Sequence, residues 1–340
     1  MRVAIVLGVA ALLLYGPADA DYSQREDVRA YMDELVSDHG FEKAELTAIF
    51  REARHKPGIV EAMSRPAERA LKWYEYRRIF IQDSRIDQGV AFWTENEASL
   101  DSAAERFAVA PEYIVAIIGV ETRFGRIMGS HRVLDALSTL AFDYPPRAKF
   151  FRNELTEFLL LAHEEGRSVE TMKGSYAGAM GYGQFIPSSY RNYAVDFDDD
   201  GLRDIWTNTA DAIGSVANYF AEHGWRAAED VALKVDVADS QQADAAVLRG
   251  LDLNRTVGEL RALGVEAPGL NAAEAAALVR MELEDGAEYW MALHNFHVIT
   301  RYNRSQMYAL AVHQLSQAIK ARRQAQLAAA HLNATDSASR

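Results

Sequence analysis

No cysteine occurs among the 340 residues. Disulfides, thiolate metal sites, thiol catalysis and a lipid-modified cysteine are therefore excluded, and the fold must be held by burial. Long hydrophobic runs are scarce too. One runs from Val3 to Tyr15, behind Arg2 and ahead of Ala18-Asp19-Ala20. A short positive start, an apolar middle and small residues predict a secretory signal peptide over residues 1–20, cleaved after Ala20. A retained N-terminal anchor is the competing reading. No later stretch has spanning length. Positive charge is in deficit: 36 Lys and Arg against 49 Asp and Glu leave a net charge of −13. Nucleic acid is thus excluded as a nonspecific partner. Also missing are HExxH, GxSxG and a lysine after the glycine-rich stretch, which removes zinc-protease, serine-hydrolase and phosphate-loop chemistry.

What is present is mostly helical pattern. Residues 21–100 read as an N-terminal helical region. In it, "SRPAERALKWYEYRRIFI" offers Ser64 as a cap and Pro66 as a first-turn residue. Ser102 and Glu105 have capping-box spacing. Pro111 opens the next helix and Gly125 can stop it. An amphipathic helix follows, ending at Gly166, and later another with Thr209 as its candidate cap. Then the period changes. Val231, Leu233, Val235 and Val237 alternate with Ala232, Lys234 and Asp236, and Asp285-Gly286 separates two more alternating runs, a hairpin signal. The chain is expected to be mainly α, of α+β class, with a core over 101–227, a small β domain over 228–293 and a returning helical part over 294–326. Helix is expected to resume after Asn303, and residues 327–340 to fray.

Glu121 ends the apolar segment "AIIGVETRFG". Ile114, Val115, Ile117, Ile118 and Val120 cover most of the helix, so it should be buried nearly all round. Burial and the negative helix end both disfavour a charged carboxylate, which would suit a general acid. The plain alternative is a surface glutamate paired with Arg123 or Arg126.

"GSYAGAMGYGQFIPSSY" carries Gly174, Gly178, Gly181 and Gly183, which either admit a ligand close to the backbone or serve tight packing. Ser175 and Gln184 could bond sugar hydroxyls. Tyr302 and Tyr308 flank a helix start and could stack on sugar rings or simply pack. Asp196, Asp198 and Asp200 alternate ahead of Gly201, as at the start of an EF-hand loop. The Leu202 carbonyl would be the next ligand. Thr207 stands where that loop needs a glutamate, and Asp211 could close the site. His294 and His297 read as structural.

Together, "GVETRFG", "GSYAGAMGYGQFIPSSYRNYAVDFDDDG", "DAIGSVANYF" and "NFHVITRYNRSQMYALAV" resemble the lytic transglycosylases of the membrane-bound type B, glycoside hydrolase family 103. The resemblance spans nearly the whole chain after residue 20. It implies a lysozyme-like helical core with added helical and β parts. It implies cleavage of the β-1,4 bond between N-acetylmuramic acid and N-acetylglucosamine in peptidoglycan, leaving a 1,6-anhydro end. Glu121 would be the single acid/base. Ser175, Gln184, Tyr219, Tyr302 and Tyr308 would line the sugar site. Asp196, Asp198, Asp200, Leu202 and Asp211 would hold a structural calcium ion, and no cofactor would be needed for the chemistry. The partner would be the glycan strand of peptidoglycan, with cell-wall synthesis proteins as further partners, and the protein itself would be a periplasmic, soluble monomer. A hydrolytic muramidase of the same fold and a non-catalytic peptidoglycan-binding scaffold are the alternatives.

Overall fold

The computed structural model describes residues 21–64 and 71–338, with side chains through residue 332. The expected signal segment 1–20 and the Pro66 helix start lie outside the described residues. The rest is mainly α with small sheets, the class expected.

One hydrophobic core runs from Tyr22 to Ile319. At its centre lies the Pro111–Thr122 helix, with proline at its first turn as its sequence requires. Ile114, Val115, Ile117 and Ile118 are fully buried. The Gln306–Ala338 helix packs along it, as does the Asp83–Glu95 helix. The contact is close because Gly89 and Gly119 lack side chains: a Cβ on Gly119 would come within 2.6 Å of the Phe124 ring.

Residues 232–292 hold a four-stranded antiparallel sheet, in the spatial order 232–235, 287–292, 275–282, 255–256. The hairpin at Asp285-Gly286 is present. Gly286 has φ 84° and its carbonyl accepts from Leu283 N. The sheet buries both faces. Ala277 and Val279 point to the main core, whereas Leu278 and Met291 face a second cluster with Val257 and Leu260. Period-two alternation here divides two cores rather than core from water.

Several local expectations shift. Ser102 lies inside the Glu97–Phe107 helix, which leaves the capping-box reading without a helix start. Asn208, not Thr209, caps the Thr209–Glu222 helix, its side chain accepting from Ala210 N and Asp211 N. Helix returns at His294, at the start of the part expected over 294–326 but ahead of Asn303, which closes this His294–Tyr302 segment. Ser305 then starts the last helix, its hydroxyl accepting from Tyr308 N at 3.2 Å. That helix runs on to Ala338, where fraying was expected after Leu327. Alanine is the strongest helix former, and its abundance there favours continuing the helix.

Candidate active site

Glu121 sits in the last turn of the Pro111–Thr122 helix and is half-buried, neither sealed in the core nor on the open surface. Tyr308 Oη donates to its Oε1 at 2.5 Å. Tyr308 is itself buried. Burial, then the adjacent Glu121 charge, pushes its phenol well above the usual range, so it stays a donor through the physiological range. Tyr302 is pushed the same way by the same causes, which places its ring within electrostatic reach of Glu121.

The helix ends abruptly after this residue. Arg123, Phe124 and Gly125 take left-handed backbone in succession, with φ of 51°, 60° and 80°. Gly125 is obligatory: besides its φ, a Cβ there would lie 2.1 Å from the Tyr182 ring. Thr122 fastens the turn. Its Oγ1 accepts from Gly125 N at 3.0 Å and is a donor shared between the Tyr182 carbonyl at 3.0 Å and the Ile118 carbonyl at 3.1 Å. Sequence reading passed over Thr122, although its place beside Glu121 was the available signal.

Tyr182 belongs to the glycine-rich loop, which thereby meets the end of the Glu121 helix. The loop is neither open nor helical. It folds on itself through bridges from Gly174 to Met180 and from Met180 to Phe185. All four glycines face protein atoms. At Gly183, for example, a Cβ would stand 2.8 Å from the Tyr302 hydroxyl, which donates to the Gly183 carbonyl at 2.6 Å. The packing reading of these glycines therefore holds. Gln184, with φ 51°, turns its amide to the carbonyls of Gly181 at 3.0 Å and Met128 at 3.2 Å. Ser175 Oγ accepts from Ala177 N at 3.2 Å and Ala179 N at 3.1 Å. Its two acceptor directions are thus spent inside the loop, and its hydroxyl proton remains for an outside acceptor.

Tyr219 stands behind this loop. Its ring lies 4.7 Å from that of Tyr302, edge to face, and is stacked at 4.0 Å on His223. Its hydroxyl donates to the Arg301 carbonyl at 2.7 Å. The fold thus brings together Glu121, Tyr308, Tyr302, Tyr219 and the Gly183–Gln184 corner, and Ser175 lies against Gly129, next to the Met128 carbonyl that Gln184 bonds. Of the two arginines near Glu121, Arg123 donates to Gln88 Oε1 at 3.1 Å. His294 and His297 meet the Gly224 and Leu251 carbonyls, a structural use.

Apart from this site, carboxylate oxygens of Asp196, Asp198 and Asp211 come within 4.8 Å of one another. Asp211 is fully buried, and its oxygens accept from Phe197 N and Asp204 N, both at 2.7 Å. Burial, then the charges of Asp198 and Asp196, raises its carboxyl above the ordinary value. An all-oxygen set of mutually repelling carboxylates fits a hard divalent cation. Asp200 is outside this trio and accepts instead from Leu202 N at 2.8 Å. Leu202 is about half exposed, at 52%.

A model of the Transglycosylase SLT domain matches residues 23–317. The chain is 42% identical over 310 residues to membrane-bound lytic murein transglycosylase B of Escherichia coli (strain K12), covering 88% of this chain and 84% of that protein. Its structure is similar to soluble lytic transglycosylase SltB1 from Pseudomonas aeruginosa, with 52% identity, a TM-score of 0.84 and coverage of 87% of this chain and 99% of that one. It is similar as well to the Escherichia coli lytic transglycosylase Slt35 in complex with calcium, with 41% identity, a TM-score of 0.81 and coverage of 89% and 95%. Matched along nearly its whole described length, the chain belongs to the Transglycosylase SLT domain family and is a lytic murein transglycosylase.

Proposed function

We propose that Glu121 is the single acid and base of the reaction on peptidoglycan. The observation that carries this reading is the 2.5 Å bond from Tyr308 Oη to Glu121 Oε1 at a strongly turned helix end. With Oε1 fixed as an acceptor, the transferable proton belongs on Oε2. Glu121 gives that proton to the oxygen leaving C1 of N-acetylmuramic acid, and the β-1,4 bond to N-acetylglucosamine breaks. The resulting carboxylate then takes the proton of the muramic O6 hydroxyl as O6 closes on C1. A 1,6-anhydro ring forms, no water is consumed, and Glu121 recovers its proton. Hydrolases that place a second carboxylate work differently; the groups set against Glu121 here include the phenols of Tyr308 and Tyr302.

Ser175, Gln184, Tyr219 and Tyr302 serve the sugar site in this reading, Ser175 through its outward proton and the tyrosines as the wall behind the loop. Calcium fits Asp196, Asp198 and Asp211, where it would stiffen the loop ahead of the Thr209–Glu222 helix. The place of action is the periplasm, where murein lies. Among the described residues no helix is long and apolar enough to cross a membrane.

Digestion of purified sacculi, with masses of the products, tests the reading. Wild type should yield anhydro ends, and Glu121→Gln should lower the rate by on the order of 10³-fold. Reducing ends would instead indicate a hydrolytic muramidase. Full activity in Glu121→Gln would reject the role of Glu121 altogether.

A further inference from the structure

The end of the Glu121 helix carries positive charge that the described protein leaves unanswered. Arg85 Nη1 donates to the Gly119 carbonyl at 3.2 Å. Arg123 Nε donates to Gln88 Oε1. Gln88 lies one turn beyond Arg85 on the Asp83–Glu95 helix and so shares its face, which makes the two guanidiniums neighbours. Both arginines are half-buried. Among the described residues neither is paired with a carboxylate, in a chain with 49 acids. The aspartates of the same helix, Asp83 and Asp87, turn to Arg322 instead. Desolvation and the charge of Arg123 both disfavour the Arg85 cation. Capping a helix end explains one arginine, through the Gly119 carbonyl. It does not explain a second cation held against the first.

The pair also borders the reaction site. The Arg85 guanidinium lies 5.2 Å from the Phe80 ring centroid, and Phe80 packs at 5.0 Å on Tyr76. Tyr76 is within electrostatic reach of Tyr308, which binds Glu121. Arg123 itself follows Glu121 by two residues, at the left-handed turn that ends the helix.

We propose that Arg85 and Arg123 form a carboxylate-binding pair that grips the peptide stems carried by the glycan strand. This rests on the reading of Glu121 as the reacting group. Guanidinium forks match carboxylates in shape and charge, and an anion bridging two of them relieves their repulsion. The pair then gives the enzyme a preference for strands that carry acidic stems over bare or neutralised ones.

The test measures binding, so it does not depend on turnover. Strands with free stem carboxylates, and the same strands amidated with carbodiimide and ammonia, are titrated against Glu121→Gln protein with and without Arg123→Gln. Amidation should weaken binding by about tenfold in the Glu121→Gln protein. Adding Arg123→Gln should weaken binding of the free-carboxylate strands comparably and remove most of the amidation effect. Equal affinity for both preparations, or an amidation effect that persists fully in the Arg123→Gln protein, overturns the proposal. Arg123→Gln carries the test because it leaves the Arg85 bond to Gly119 in place; Arg85→Gln, followed by melting, supports it with the same pattern. A wild type that released no anhydro ends would sink the acid–base reading while leaving this binding result to stand or fall alone.

Discussion

Thr122 makes a case for how much one hydroxyl can hold. It is fully buried and joins the end of the Glu121 helix to the Tyr182 carbonyl and to the Gly125 amide. Thr122→Val keeps the shape and strands both partners, at a cost of about 1–3 kcal/mol for unsatisfied buried groups. The neighbouring carboxyl should then lose its aim, and small misplacements are costly in catalysis. We expect kcat to fall by roughly 10- to 100-fold with KM changed less than about threefold. Thr122→Ser should restore most of the rate. Steady-state kinetics on soluble glycan strands, beside melting curves, check this. A KM change larger than the kcat change would place Thr122 in binding rather than positioning.

Among the elements, the aspartate loop has the most conditional stability. Asp211 has a raised folded pKa, so between its ordinary value and the raised one the folded state holds more proton than the unfolded. Its contribution is therefore greatest at low pH and is lost as pH rises through the folded pKa. A cation among Asp196, Asp198 and Asp211 would remove that loss. Calcium should raise the melting temperature by several degrees at pH 7 and by less near pH 4, a shift that Asp211→Asn should largely abolish. Calorimetry with calcium and with chelator reads both. This element was half legible: alternating aspartates before Gly201 gave the loop, but the direction of the Asp200 side chain depends on the Leu202 amide. The same division recurs elsewhere. Pro111 and Asp285-Gly286 announce themselves because their backbone demands are local. Ser102 and Thr209 misled as caps because Ser, Thr and Asn signal alike, and tertiary packing chooses where a helix begins. The glycine-rich loop looked fit for a ligand, yet its space is filled by Tyr302, Leu137, Ile205 and the loop itself. No local pattern could have shown that. Nor could sequence spacing show that Tyr308 would reach Glu121, since that contact joins residues 187 apart in the chain.

At the scale of the molecule, the β region is joined to the helical core rather than hung from it. Trp73 Nε1 donates to Glu288 Oε1 at 3.0 Å, and Trp290 packs edge-on against His313 at 6.0 Å between ring centroids. His313 also meets the Tyr113 hydroxyl at 2.9 Å and stacks near that ring. Sheet, Pro111–Thr122 helix and Gln306–Ala338 helix therefore meet at one imidazole. Desolvation pushes it down from 6.5 to about 4. It is neutral in the folded protein, so its Nδ1 can accept from Tyr113. In the window between those values the unfolded chain binds more proton, and stability must fall as pH drops from 6.5 towards 4. Above the window the contribution is complete; below it there is nothing further to lose. The total is on the order of 2 kcal/mol after allowance for partial exposure. Because this junction joins three parts, its loss should lower one cooperative transition rather than release the sheet alone. Melting curves from pH 4 to 7 should show that slope in wild type, and His313→Gln, which keeps an acceptor but cannot be protonated, should flatten it. A separate early transition from the sheet would show that the shared core does not bind these parts as one unit.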